Sequence, residues 1–481
     1  MSEILRKLKP VQRRWLKPLE KYRVTVEYES ATEVTDRTMQ VSDGFGLGID
    51  KAVKFPVYQD FEVDINPSDV VYLCGDSGSG KSVLLRWFKE AFNGETVDVD
   101  DAKPEADVPL VEQIGGDLQE ALTLLSRAGL NDAFLFIRRF RELSEGQKFR
   151  FKVARMMESG QRFWVMDEFC STLDRDTAKI VAFNVQKLAR KAGCCVLAAT
   201  CHTDLFDDLN PDVYVFKRFG KEASVTYHKP ERRECSLTGE MRVEEGSYQD
   251  WKNLARFHYR SHRVAAPRRI FCLKRGDELC GVIVYTYPPI CSFGRKEAGL
   301  PRDIKELNKL LSTISRVVVH PKYRTIGLGR KLVEETLPLA GTRYVELIAV
   351  IANYNPFAEK AGMKRVKEKT GSKEGLAIAD VLVNLGFNIQ MLASESYLLK
   401  RLTVLGAGNI SRIKEAFISH DHPRFVKFFR SGGRGPAWGL REKYVEQVES
   451  AGNKTLAKLI KICGMLLQTK VYLFWDKNWA S

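Results

Sequence analysis

Short runs in which apolar and polar residues alternate mark the first part of the chain. Val24–Tyr28, Phe61–Ile65 and Val70–Cys74 each fit the two-residue period of a strand. The third runs into a Gly-rich turn, and a helix follows with Val83, Leu84, Trp87 and Phe88 on one face. Residues 97–109 are acidic and contain proline, which predicts a surface loop. Helical spacing fills 116–158, and strands are expected at Phe163–Met166, Cys195–Ala199, Asp212–Phe216 and Ala223–His228. Polar, charged residues at 229–247 read as a connection. A second α/β pattern starts near Tyr248, with strands at Ile270–Lys274, Cys280–Tyr285, Ile314–His320 and Tyr344–Val350. Helices are expected at its start, at Asp303–Leu311 and over Leu332–Leu337; beyond about 375 the spacing is mostly helical.

Composition adds little to fold but more to partners. The chain has 481 residues, which favours two or three domains, and 44% hydrophobic residues supply more than one core. Lys and Arg number 76 against 61 Asp and Glu, a net charge of +15. That excess points to a polyanionic partner, nucleic acid first and an anionic membrane surface second; a basic enzyme with no such partner is the plain alternative. Ten cysteines form no C-x-x-C pair, so neither a disulfide framework nor a zinc site is expected, and a cytoplasmic location fits. No apolar run approaches the roughly 20 residues of a membrane-spanning helix. The first 23 residues read as a basic amphipathic arm rather than a secretory signal.

Gly75-Asp76-Ser77-Gly78-Ser79-Gly80-Lys81-Ser82 matches G-x-x-x-x-G-K-[ST] between a strand and a helix. Glycines let backbone amides turn inward on phosphate, Lys81 reaches the β/γ-phosphates, and Ser82 offers its hydroxyl to Mg²⁺. Strand 163–166 ends in Asp167-Glu168: Asp167 suits the metal, and Glu168 suits polarising an attacking water. Leu143-Ser144-Glu145-Gly146-Gln147 then resembles the LSGGQ signature of ABC ATPases, with Glu145 in place of one glycine. Ser171-Thr172-Leu173-Asp174 resembles that family's D-loop, His202 its switch histidine, and Gln113 its Q-loop glutamine, a further metal ligand. The resemblance covers about residues 20–230. It implies ATP and Mg²⁺ as ligands and a head-to-tail homodimer, in which Ser144, Gly146 and Gln147 of one subunit face the γ-phosphate held by the other. Only 63 positions separate Lys81 from Ser144, shorter than expected for a transporter ATPase.

In the second pattern, Arg324-Thr-Ile326-Gly327-Leu328-Gly329-Arg330 lies between a strand and a helix and resembles the acyl-CoA loop of GNAT acetyltransferases. The resemblance covers about 245–370. It implies that the amides from Ile326 to Arg330 hold the pyrophosphate of acetyl-CoA or another acyl-CoA. Phe357-Ala358-Glu359-Lys360 has alanine where many GNATs carry the tyrosine that protonates the departing thiolate. Tyr354, four residues earlier, can substitute or can belong to the core. Glu346 and His320 are candidate bases, with a strand-face charge and a His-Pro turn as the plain readings.

The expected fold class is therefore α/β: a basic arm (1–23), a P-loop ABC-type ATPase domain (24–230), a linker (231–247), a GNAT-like domain (248–375) and a mostly helical extension (376–481). Three basic stretches offer themselves to nucleic acid: Arg138, Arg139, Arg141, Lys148, Arg150, Lys152 and Arg155 around the signature; Phe257–Arg263 followed by Pro267, Arg268 and Arg269; and Arg424–Trp438. Each has an ordinary structural alternative, a solvated or packed helix end. The expected function is an ABC ATPase coupled to an acyl-CoA-dependent transferase acting on nucleic acid. The alternatives are an ATPase whose second domain only senses acyl-CoA or serves as scaffold, and a protein acetyltransferase.

Overall fold

The computed structural model describes residues 2–6, 12–14, 19–30, 33–48, 53–92, 94–130, 133–231, 234–258, 264–290, 292–349, 356–429 and 440–480. Two compact units divide the chain: Met1–Thr286 with Ser315–Thr336, and Tyr287–Ile314 with Leu337–Ser481.

In the first unit, β1 (Ser2–Arg6), β2 (Gln12–Arg14), β3 (Leu19–Ser30) and β4 (Val53–Ile65) make an antiparallel sheet in which β3 pairs with the other three. The strands β5 (Val70–Gly75), β6 (Thr96–Asp98), β7 (Phe163–Met166), β8 (Cys195–Thr200), β9 (Val213–Lys217) and β10 (Ala223–Tyr227) form a second sheet in the order β10-β9-β5-β8-β7-β6. Only the β9–β10 hairpin in it is antiparallel. Every residue of β5, β7 and β8 is buried, as expected of parallel strands covered on both faces. On one face Val71, Leu73, Val165 and Leu197 pack against the Lys81–Ala91 helix and against Tyr22, Val24 and Val63 of the antiparallel sheet. On the other, Val70, Tyr72, Trp164 and Val196 meet Ala178, Val181 and Val185 of the Arg175–Ala192 helix. Residues 110–154 build a small helical core of their own around Leu110, Leu125, Leu130 and Phe151.

The remaining strands are β11 (Arg242–Glu245), β12 (Pro267–Arg275), β13 (Glu278–Thr286), β14 (Leu311–Val319), β15 (Tyr344–Ala349), β16 (Lys364–Lys369) and β17 (Lys470–Asp476). Within the first unit, β12 pairs antiparallel with β11 and β13, and Trp251, Val282, Val284 and Val318 form a core beneath them. Within the second, β14 pairs in parallel with β15 over Leu311–Ile314 opposite Tyr344–Leu347, and β17 lies antiparallel between β15 and β16. Between β16 and β17 the chain makes a helical cluster around Ile378, Leu402, Phe417 and Ile460.

Three expected boundaries are corrected. The N-terminal residues form strands β1 and β2 and the start of β3 instead of a separate arm, because strand pairing satisfies their backbone groups. The segment 231–247 is no linker. Leu237 and Met241 are buried, and Ser236 donates from its N–H (2.8 Å) and hydroxyl (2.7 Å) to buried Asp208. The helices after 375 are an insertion, since β17 returns to the sheet and joins two strands that lie far upstream.

Candidate active site

Strand β5 delivers the chain into the loop Gly75–Ser82. Gly75, Gly78 and Gly80 adopt positive φ of 145°, 74° and 104°. A Cβ on Gly75 would run into the backbone of Lys217, and one on Gly80 into the side chain of Val57, so the loop needs glycine at both positions. Lys217 is buried, with its ammonium donating to the carbonyls of Arg218, Gly220 and Glu222; this closes the β9–β10 turn behind the loop. Tyr58 donates its hydroxyl to Gly80 O at 3.1 Å. Lys81 Nζ donates to Gly75 O (2.8 Å) and Asp76 O (2.6 Å), which keeps the ammonium inside the loop. Ser79 is buried and its hydroxyl has no partner, while Asp76, Ser77 and Gly78 are exposed around it. An orphaned hydroxyl inside a ring of amides, beside a lysine at a helix N-terminus, fits a phosphate.

The expected metal pair is brought together. Ser82 and Asp167 line one cavity with Leu85, Arg86, Lys89, Asp98 and Val165. Strand β7 is buried along its length and ends at Asp167, whose Oδ1 accepts the Glu168 N–H at 2.9 Å. Glu168 and Cys170 are non-glycine residues at φ of 47° and 57°, each a local strain on the order of 1–3 kcal/mol. They flank Phe169, which is fully buried and donates its N–H to Ala199 O at 2.7 Å. The chain is thus held in an unfavourable turn that leaves the Glu168 carboxylate exposed at the strand's end.

Tyr72 and Cys74 of β5 both donate to the His202 carbonyl, the thiol at 3.3 Å, which ties the histidine's backbone to the strand that carries the phosphate loop. Asp204 pairs with Arg175, next to Asp174. Asp174 caps the Arg175–Ala192 helix by accepting from Thr177 N–H at 3.1 Å. Ser144 is the exposed N-cap of the Glu145–Glu158 helix, and its N–H donates to Gln147 Oε1 at 3.1 Å. Gly146 is buried, with a Cβ there lying 2.7 Å from Thr177 Cγ2, so the signature helix approaches its neighbour only through glycine. Glu145, the odd residue in the signature, is exposed and pairs with Lys148 at 2.7 Å. Gln113 is not brought to the Ser82–Asp167 cavity. Its amide donates to Glu105 O (3.0 Å) and Val108 O (2.7 Å) and accepts from Glu105 N–H (2.8 Å).

The basic group around the signature does not form the expected cationic face. Arg139 and Arg141 approach Asp107, Lys152 pairs with Asp100, Arg155 with Glu158, and Arg150 is buried. The arginines at 260, 263, 430 and 434 lie outside the described residues.

Further along, Arg324 donates from Nε to Val319 O at 3.1 Å, Thr325 sits at φ 80° and Gly327 at φ 94°. Ile326 and Leu328 are buried, whereas Gly327 is exposed with open space where a Cβ would project. Gly329 and Arg330 lie in the first turn of the Leu328–Thr336 helix, and Arg330 pairs with Glu334 at 2.9 Å. Glu346 is fully buried and saturated. It accepts two bonds from Arg295 (3.0 and 2.6 Å), one from Thr313 (2.7 Å) and one from Tyr472 (2.9 Å), an arrangement that locks the sheet and leaves no lone pair for a base. His320 caps its Pro turn, accepting from Lys322 N–H at 3.4 Å; burial lowers its pKa. Ala358 is buried, and Tyr354 falls outside the described residues. The sequence reading missed Arg295, Asp176 and Asn184. Asp176 and Asn184 gave only the signal of a polar residue in a helical pattern, and Arg295, in a polar turn, gave none.

A parallel sheet with a phosphate loop, an acidic pair at a strand end and a serine-headed helix defines a P-loop ATPase. The family profile described as ABC transporter matches residues 58–171. The cytochrome c biogenesis ATP-binding export protein CcmA of Gluconobacter oxydans is 30% identical over 158 residues, 29% of this chain and 72% of that protein. CcmA of Ruegeria pomeroyi is 28% identical over 174 residues, 31% of this chain and 79% of its own length. Among solved structures, the ADP conformation of the ATP-binding cassette MJ1267 has a TM-score of 0.32 at 17% identity, covering 36% of this chain and 86% of that one. The chain belongs to the ABC ATPase family: it binds ATP and is an ABC-type ATPase.

Proposed function

We propose that the chain works as an ATP-sandwiched homodimer in which nucleotide-driven closure gates an acyl-CoA-dependent transfer to nucleic acid. The observation that carries the transferase reading is the Arg324–Arg330 loop, which follows β14 and runs into the Leu328–Thr336 helix. Open space at Gly327, the free first-turn amides of the Leu328–Thr336 helix, and the dipole there suit a pyrophosphate.

In the ATPase half, the residues present fit Mg-ATP. Ser82 and Asp167 would hold the metal, which supplies charge neutralisation for the β- and γ-phosphates. Lys81 and the loop amides bind the phosphates, and Glu168 orients the attacking water. Ser144, exposed at a helix N-terminus, meets the γ-phosphate of the opposite subunit. One subunit alone supplies only half of each site.

The nucleic-acid acceptor rests on the net charge of +15 alone, since the cations around the signature are largely paired. A second reading, an acyl-CoA sensor without catalysis, is favoured by buried Ala358 in the place of the proton-donating tyrosine. Incubation of the full chain with labelled acetyl-CoA, Mg-ATP and DNA or RNA, followed by mass spectrometry of the nucleosides, tests the choice. A labelled, ATP-dependent nucleoside is expected. Acetyl-CoA binding without transfer to nucleic acid turns the conclusion to the sensor, and transfer to added protein turns it to a protein acetyltransferase.

A further inference from the structure

Arg150 lies on the signature helix, Glu145–Glu158, and is 7% exposed. Its Nε is buried without a partner, and among the described residues it makes no hydrogen bond and no ion pair. An unpaired buried guanidinium costs several kcal/mol, so the fold either tolerates a defect or leaves room for a counter-charge.

The surroundings point to the second. Arg150 Cδ and the side chain of Thr325 meet around Gly129: a Cβ on that glycine would lie 3.5 Å from the first and 3.0 Å from Thr325 Cγ2. Gly129 has φ 94° and brings its backbone close to both side chains, which a residue with a Cβ could not do without displacing Thr325. Thr325 is the second residue of the phosphate-type loop Arg324–Arg330 and is held at φ 80° by Asn184 of the Arg175–Ala192 helix, whose Nδ2 donates to its Oγ1 at 2.6 Å. The same helix anchors the start of the loop, where Asp176 accepts from Lys322 (2.6 Å) and Arg275 (2.9 Å). Burial pushes Arg150 down to about 10; Cys170 opposes this, and the smaller contributions of Arg324 and Asp174 lower and raise it. The neighbourhood thus presents two guanidiniums and a helix N-terminus, with no carboxylate bonded to Arg150 among the described residues, while the Thr325 hydroxyl is engaged with Asn184 and the Arg324 carbonyl.

We propose that Arg150 is the second cationic arm of the ligand site at Arg324–Arg330, so that a diphosphate-bearing ligand of the CoA class binds between that loop and the ABC signature helix. The inference rests on the acyl-CoA reading of the loop and goes beyond it, because it gives the ATPase half a residue in the acyl-CoA site. Ligand phosphate supplies the counter-charge that the protein withholds. Occupancy is then felt by the helix that begins at Ser144 and by the helix that begins at Asp174, both part of the ATP site.

The test uses the full chain with an unhydrolysable ATP analogue held saturating, so that the Lys81 loop is occupied. CoA and inorganic pyrophosphate are titrated by calorimetry into wild type, Arg150→Met, Arg150→Lys and Gly327→Val, and thermal unfolding is followed with and without each ligand. Arg150→Met is expected to weaken CoA binding about tenfold or more, to lose the CoA-induced rise in Tm, and to unfold at or above the wild-type temperature without ligand, since it removes an uncompensated charge. Arg150→Lys keeps the charge but loses the fork, so it should fall between; it also serves if the methionine variant does not fold. Wild-type CoA affinity in Arg150→Met, alongside lost binding in Gly327→Val, overturns the proposal and leaves the loop reading standing. Arg150-dependent binding of pyrophosphate without binding of CoA keeps the site and overturns the acyl-CoA reading. No binding of either ligand by wild type overturns both.

Discussion

At the scale of single residues, the ATP site is legible because phosphate chemistry demands fixed residue types at fixed spacing. Gly75, Gly80, Lys81 and Ser82 could be assigned from sequence because backbone amides, an ammonium and a hydroxyl have few substitutes there. Glu168 shows what the sequence left out: a carboxylate at the strand's end was readable, but the left-handed φ at that position was not. Glu168→Gln keeps the shape of the side chain while removing the carboxylate proposed to orient water. ATP binding should persist within a few-fold, and hydrolysis should fall by two orders of magnitude or more, measured as phosphate release. Turnover at the wild-type rate would place the orienting group elsewhere. Glu346 is the opposite case. Strand alternation cannot say that a carboxylate is fully buried, nor that Arg295, Thr313 and Tyr472 converge on it. Its role is to hold structure, so Glu346→Gln should cost on the order of 3–5 kcal/mol in denaturant unfolding, by leaving the Arg295 charge uncompensated. Arg150 was misread as surface because a helix rich in Lys and Arg has the same composition whichever of them turns inward.

At the scale of elements, most strands were found within a few residues of their ends, since apolar runs of four to six bounded by polar turns are distinctive. The helix Asp36–Phe45 was missed although Thr35 caps it and Gly46, at φ 66°, ends it. Its apolar residues Val41 and Phe45 are exposed, so no buried stripe marks it. The Arg175–Ala192 helix shows why a boundary drawn from polarity failed. Asp176 in its first turn bonds Lys322 and Arg275, and these pairs join sequence on either side of the expected linker within one compact unit. Burial raises the Asp176 pKa, but the bonds from Lys322 and Arg275 outweigh it, and the net shift is downward. A depressed carboxylate contributes stability above its unfolded pKa and loses it as pH falls through the folded value. Asp176→Asn should therefore be less stable than wild type at neutral pH by on the order of 1.5–3 kcal/mol, and the gap should close as the pH is lowered below the ordinary Asp range. Equal loss at every pH, followed by denaturant midpoints, would show that the ion pairs contribute nothing.

At the scale of the whole molecule, sequence order and spatial order diverge. β17 follows β16 by some hundred residues yet lies next to it, a pairing that no local pattern reveals. The same holds for assembly. Ser144 heads a 14-residue helix, is exposed, and has no phosphate loop of its own subunit assigned to it by any hydrogen bond. In a monomer the positive end of that helix faces solvent, whereas in the proposed two-fold dimer it would face a partner's γ-phosphate. Ser144→Arg places a long cation where the opposing phosphate loop must approach. It should leave ATP binding at the subunit's own Lys81 loop near wild-type affinity and abolish the ATP-dependent dimer. Sedimentation of the Glu168→Gln protein with ATP, with and without the added Ser144→Arg change, reads this directly. The single variant should sediment as a dimer only when ATP is present, and the double variant as a monomer throughout. A double variant that still dimerises with ATP, or a wild-type monomer with full turnover, would show that the signature helix does not close a partner's site.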